Sequence, residues 1–168
     1  ILSYLRQAQG LSAKTSKINK ADHSLPPVLS FGQKRLWFLY ELEGASATYN
    51  MPLCFSLKGD FKRKYFEQAL SLIIQRHEIL RYSFINSAEG PTIVVNDSQA
   101  FVCEWIDLTN DQTQTPESIT HAHHHFSFDL ARDVLIKATV IKTQSNEFQV
   151  SILLHHIVAD GWSIGVLF

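Results

Sequence analysis

Apolar side chains recur along the chain with two periods, and each period marks an element. Tyr49, Met51, Leu53, Phe55 and Leu57 alternate with Asn50, Pro52, Cys54, Ser56 and Lys58. That is the period of a half-buried strand, and Pro52 places it at a sheet edge or a bulge. Phe66, Ala69, Leu70, Ile73 and His77 recur at threes and fours, which predicts an amphipathic helix over 61–76, entered through a Gly59-Asp60 turn with Asp60 as its cap. Residues 134–142 and 148–157 are two strong β-forming runs around Thr143-Gln-Ser-Asn-Glu, a predicted antiparallel hairpin. Shorter strands are predicted over 80–85, 92–95 and 101–106, the first two joined by a turn at 86–91. Ser30, with Gln33 three residues on, is a capping-box start for a helix over 31–42. Thr115-Pro116-Glu117 opens another helix running to about His125, with Pro at the first helical position. Residues 1–27, rich in Ser, Lys, Asn and Pro from Gly10 on, read as a leader or linker. Strands and helices do not alternate as in a doubly wound fold. The expected class is α+β, a mixed or antiparallel sheet with flanking helices.

Composition narrows the function classes. With 168 residues, 45% of them hydrophobic and 11% aromatic, the chain can fill a core, and global disorder is excluded. Charged residues make up 18%, below the roughly 25% usual for soluble domains, so part of the surface is expected to be covered by further chain. The formal net charge of −1 offers no basic excess for phosphates, which argues against a nucleic-acid partner. No apolar run approaches the ~18 residues that span a membrane. Cys54 and Cys103 lie far apart without CxxC spacing and read as buried thiols in a reducing, cytoplasmic compartment, with neither a disulfide framework nor a cysteine-built zinc site. His121-Ala-His123-His124-His125 invites a metal reading. No Cys, Asp or Glu stands near it in sequence, so a solvated helix face is the better reading. His77, Trp37 and Phe38 are expected in the core, and Arg35 in structural bonds.

The chemistry concentrates in Leu154-His155-His156-Ile157-Val158-Ala159-Asp160-Gly161-Trp162-Ser163. An apolar strand turns polar there, and two imidazoles, a carboxylate and a glycine fall within seven positions. An imidazole at a strand end can take a proton near neutral pH. The carboxylate can curl back to fix the loop, and Gly161 is expected to let the backbone turn tightly. From the residues alone, a pair of half-buried structural histidines with Asp160 capping a helix stands equally beside that reading.

The same residues carry a resemblance. His155-His156-Ile-Val-Ala-Asp160-Gly161 resembles the His-His-x-x-x-Asp-Gly signature of condensation domains of nonribosomal peptide synthetases. Ser30-Phe-Gly-Gln33-Lys-Arg35-Leu36-Trp37-Phe-Leu39 is similar to that family's Ser-x-Ala-Gln-x-Arg-Leu-Trp-x-Leu, with Gly32 in place of Ala. Arg76-His77-Glu78-Ile-Leu80-Arg81-Tyr82-Ser-Phe84 resembles Arg-His-Glu-x-Leu-Arg-Thr-x-Phe, with Tyr82 in place of Thr. Phe128-Asp129-Leu130 is a weaker match, followed by Val134-Leu135-Ile136-Lys137 where the family often has Pro-Leu and an Arg.

The resemblance, from Val28 to Phe168, implies a chloramphenicol-acetyltransferase-like fold of two lobes in a V with a tunnel between them. This chain would be the N-terminal lobe over 28–168, without the C-terminal lobe, and inactive by itself. A carrier-tethered acyl or peptidyl thioester and a carrier-tethered aminoacyl group would meet in the tunnel and form an amide. The partners implied are upstream and downstream peptidyl carrier domains and an adenylation domain. No cofactor would be bound directly, since the substrates ride on the carriers' phosphopantetheine. His156 is the implied central histidine, as base or positioner, with His155 beside it and the Gly161 amide orienting substrate. Asp160 and Arg81 are implied to pair as structural supports. The Arg76–Arg81 run looks like the subtype that takes an L-configured donor. Epimerization domains share the fold and the double histidine but usually lack the Arg-Leu-Trp-x-Leu run, and heterocyclizing relatives carry aspartates for the histidines. A catalytically silent module that recruits a partner protein tends to lose the histidine motif.

Overall fold

From Val150 to His155 every residue of strand β6 (Glu147–His155) is buried, and the rest of the molecule is arranged around it. The structure is a computed structural model and describes residues 26–111 and 113–168. The leader expected over 1–27 therefore lies almost wholly outside the described residues. β6 is flanked by β1 (Asn50–Lys58) on one side and β5 (Ile136–Gln144) on the other, both antiparallel to it. β4 (Glu104–Asp107) adds to β5 in parallel, so the four-stranded sheet runs β1-β6-β5-β4 and is mixed. A separate hairpin pairs β2 (Tyr82–Ser87) with β3 (Gly90–Val95). The helices are α1 (Phe31–Glu43), α2 (Arg63–Arg76), α3 (Pro116–His124) and α4 (Gly161–Leu167). The architecture is α+β.

The strand register builds two unlike faces. The cross-strand row Phe55, Val150, Val140, Trp105 is apolar, and Phe61 stacks on Trp105 and leans on Phe148 there. One residue along, the row Cys54, Ser151, Thr139, Glu104 is polar and carries α3. Leu130, Leu135, Val140, Val150 and Leu153 are completely buried. Each such side chain contributes roughly 1.5–3 kcal/mol relative to leaving it in water.

Several boundaries differ from expectation. α2 begins at Arg63 after Lys62, with no side-chain cap; Asp60 instead pairs with the Lys62 ammonium at 2.7 Å. Its inward stripe holds Leu70 and Ile74, while Ala69 is exposed. The strand expected from residue 80 starts at Tyr82, because Glu78–Arg81 wind into a 3-10 turn that drives Leu80 into the core. Phe101 and Cys103 are not yet in a strand. Their amides donate to the Ser71 hydroxyl and the Glu67 carboxylate of α2, and only from Glu104 is the chain released to pair with β5. In α1 no residue is fully buried. Trp37 is half-buried against the core, whereas Phe38 stands 60% exposed, so the core placement expected for it does not hold.

Candidate active site at the end of strand β6

β6 ends at His155, and residues 156–158 form a turn before Asp160 caps α4. Alternation along the strand sends the His155 ring to the α3 side, where it is 3% exposed and meets the edges of Tyr49 and Phe128. Its Nδ1 accepts the Ile157 amide at 3.2 Å, which fixes the neutral tautomer with the proton on Nε2. Burial, reinforced by the charge of His156, pushes its pKa down to about 4. His155 is therefore a buried, uncharged ring that braces the turn.

His156 lies one residue past the strand, so alternation no longer governs it. Its amide donates to the Tyr49 carbonyl at 2.8 Å, prolonging the β1–β6 ladder by one rung. Its ring is exposed, and among the described residues no hydrogen bond engages it. An imidazole held by a rigid main chain with both ring nitrogens free is what a proton acceptor or an amine-positioning group requires.

Asp160 and Ser163 form a reciprocal cap: the carboxylate accepts the Ser163 amide at 2.8 Å and its hydroxyl at 2.6 Å, and the Ser163 hydroxyl accepts the Asp160 amide. Those bonds hold the carboxyl below its ordinary range. The Arg81 pairing implied for Asp160 is absent among the described residues. Arg81 gives its Nη1 to the Asn96 carbonyl at 2.6 Å and receives both Asn96 N–H groups on its own carbonyl. It lines a cavity of about 970 Å³ between the 96–104 segment, α3 and β5. The structure thus gives each residue a local partner, because a carboxylate at a helix start satisfies orphan amides at once. Gly161 is exposed at the first position of α4 and has no positive φ, so the tight turn expected of it is not made. A Cβ there would meet nothing within 4 Å.

Two contacts tie the other motifs to this loop. Gln33, already the third residue of the α1 capping box, donates its amide to the Ile157 carbonyl at 3.2 Å. A hollow of about 180 Å³ is lined by His77, Ile79 and Leu80 from the second motif and by Val158, Ala159 and Trp162 from the signature segment. Within the second motif the Tyr82 hydroxyl donates to Glu78. Phe128 and Leu130 are buried, and the Leu130 carbonyl accepts the Phe84 amide. Gln33 and Tyr49 are the members of this site that sequence reasoning did not single out. Gln33 stands in the first motif and had been given only its capping role.

The His-rich helix divides. His121 and His125 are exposed and stacked at 4.1 Å, as a solvated face should be. His123 is buried against Ser151 at 2.8 Å, and burial pushes its pKa down to about 4. Among the described residues no group of three His, Cys, Asp or Glu could hold a metal ion, and no helix is long and apolar enough to cross a membrane.

Residues 27–168 match the family described as "Condensation domain". The chain is 37% identical over 167 residues to chondramide synthase of Chondromyces crocatus, covering 96% of this chain and 4% of that protein. It is 38% identical over 148 residues to malpinin synthetase of Mortierella alpina, covering 87% and 2%. Among solved structures it is similar to the first condensation domain of the CDA synthetase, with a TM-score of 0.74 at 20% identity over 86% of this chain and 38% of that one. A mutant starter condensation domain of rhizomide synthetase, in complex with C8-CoA and Leu-SNAC, gives a TM-score of 0.76 at 22% identity over 86% and 34%. The chain thus spans a few per cent of the curated synthetases and about a third of each solved chain.

Proposed function

We propose, from the premise that this chain belongs to the condensation-domain family, that it forms the histidine-bearing wall of a site for amide synthesis on carrier-bound substrates. Condensation domains of nonribosomal peptide synthetases are acyltransferase-type enzymes that form peptide bonds. The amine of a carrier-tethered aminoacyl group attacks the carbonyl of a carrier-tethered acyl or peptidyl thioester. The C–N bond forms, the C–S bond breaks, and the departing carrier thiol and the new amide share out the two protons of the amine. His156 accepts or orients the amine proton during the attack. The observation that carries this assignment is the opposite fate of the two adjacent rings: His155 sealed in and neutral, His156 presented outward at the end of the most buried strand. The ligands named for the rhizomide relative, an acyl thioester and an aminoacyl thioester mimic, are of the two classes proposed.

Holding an amine beside a thioester supplies much of the acceleration, since effective molarities of oriented pairs are large. A lone wall cannot do that. We propose that a second lobe closes over the His156 side and covers the apolar side chains left in solvent, among them Phe31 at 93%, Trp162 at 86% and Phe168 at 75% exposed. Phosphopantetheine arms of an upstream and a downstream carrier then supply the substrates, and an adenylation domain loads them.

The test is amide formation between two loaded carriers in the intact synthetase. His156→Ala should lower turnover by roughly 10²–10⁴-fold without moving the melting temperature, because the ring touches nothing that folding needs. Turnover near that of the native enzyme would overturn the role of His156. A native enzyme that inverts the α-carbon of a single loaded carrier, and joins nothing, would establish epimerization instead.

A further inference from the structure

A second cluster of reactive side chains lies on the α3 face of the sheet, apart from the strand-end loop. Cys54 is exposed on β1, an edge strand, and its Sγ sits 3.3 Å from His124 Nε2. Ser151, its cross-strand partner on β6, brings Oγ to 3.5 Å from the sulfur and 3.2 Å from the same nitrogen. His123 Nδ1 stands 2.8 Å from that hydroxyl. The arrangement is held from outside the cluster: Asn50 at the start of β1 donates its amide to the carbonyls of His124 and Phe126, at 2.8 and 2.7 Å, and so pins the end of α3 over Cys54.

We infer that Cys54 is a reactive thiol, with His124 as its proton acceptor, and that it forms mixed disulfides with low-molecular-weight disulfides. His124 takes the Cys54 proton, and the thiolate attacks one sulfur of the disulfide. The new S–S bond forms as the old one breaks, and the departing thiolate collects the proton from His124. The Cys54 sulfur is oxidised and the departing half is reduced, so the exchange needs no other reactant.

The thiol donates to Ser151 Oγ as the contacts stand, and the same groups can turn to serve a thiolate. Once protonated, His124 donates from Nε2 to the sulfur. With the His123 proton on Nδ1, that N–H serves the Ser151 oxygen and turns the hydroxyl proton toward the sulfur, a second donor. The same tautomer leaves His123 Nε2 as a bare acceptor, and that buried atom has no partner. Burial together with the charges of His125 and His121 lowers the His124 pKa, which leaves the ring a neutral acceptor and a weaker base, so the proposal stands on the geometry of the contacts. Cys103 is the internal contrast. It is buried, gives its thiol to Glu67 at 3.4 Å, and is pushed up to about 12, chiefly by burial. A buried thiol beside a carboxylate is protected from ionisation.

Glutathione disulfide, followed by peptide mass spectrometry of the native protein, tests this. Cys54 should be modified at least about ten-fold faster in the folded protein than in urea, a gain that exposure alone cannot give. Cys103 should stay free until unfolding. His124→Gln should return Cys54 to the unfolded rate, and Ser151→Ala should slow it by a smaller factor. Folded Cys54 reacting no faster than unfolded Cys54 overturns the proposal, as does an unchanged rate in a His124→Gln protein of native melting temperature. Should the variant not fold, the folded-to-unfolded ratio in the native sequence decides alone.

Discussion

His123-His124 and His155-His156 are two pairs of neighbouring histidines, and in the sequence nothing but context tells them apart. In both, the first ring is buried and neutral, with its pKa pushed down to about 4 by desolvation, and the second lies nearer water. The pairs diverge in what the second ring meets. In α3 successive side chains are set about 100° apart, so with His123 pointing at Ser151, His124 swings to the sheet edge and finds Cys54. At the end of β6 the strand stops between the two rings, and His156 is left facing open space. Burial of one ring anchors the pair. Whether the other ring has a protein partner or room for a substrate separates a side-chain cluster from a site that receives a ligand.

That contrast can be broken most directly at β6. His156→Ala should remove most amide formation and leave folding alone. His155→Ala should do the reverse and cost about 2–4 kcal/mol of stability in urea, since it deletes a buried ring and orphans the Ile157 amide. Equal stability losses for the two would erase the distinction drawn between them. A next effect in size concerns both buried rings together. The folded state holds them at about 4 and an exposed imidazole titrates at 6.5, so the unfolded chain binds more protons between those values. Stability is therefore whole above pH 6.5 and falls as pH drops toward 4, by on the order of a few kcal/mol in all. A urea midpoint that does not move from pH 7 to pH 4.5 would contradict the burial of both. The smallest effect is expected for Asp160→Ala, which removes a cap from a seven-residue helix and strands no guanidinium. Amide exchange in α4 should quicken several-fold with the global melting temperature nearly unmoved. A large drop in melting temperature would restore the pairing with Arg81.

Much of the fold was legible because local rules and burial agreed. The alternation over β1, the turn between β5 and β6, the capping box at Ser30 and the Thr115-Pro116-Glu117 helix start each carry their own signal, and each element stands within two residues of its expected place. Two of the misses show what a period cannot carry. Phe101 and Cys103 read as strand by composition, but Ser71 and Glu67 of α2 take their amides. Asp60 reads as a cap, but α2 begins only at Arg63 with Lys62 in the cap position, and the Asp60 carboxylate meets the exposed Lys62 ammonium instead. Competition among hydrogen-bond partners is not written in a period of two or 3.6.

The site divides in the same way. By itself the sequence determined where a polar cluster closes an apolar strand, since that is visible in the order of residues, and three motifs in order pointed to the family that the comparisons show. Tertiary structure alone decided which histidine faces outward, that Gln33 reaches across 124 positions to hold the Ile157 carbonyl, and that Cys54 meets His124 across 70. Strand register and helix rotation are settled by what can be buried together. Contacts between residues so far apart exist only once the sheet has closed.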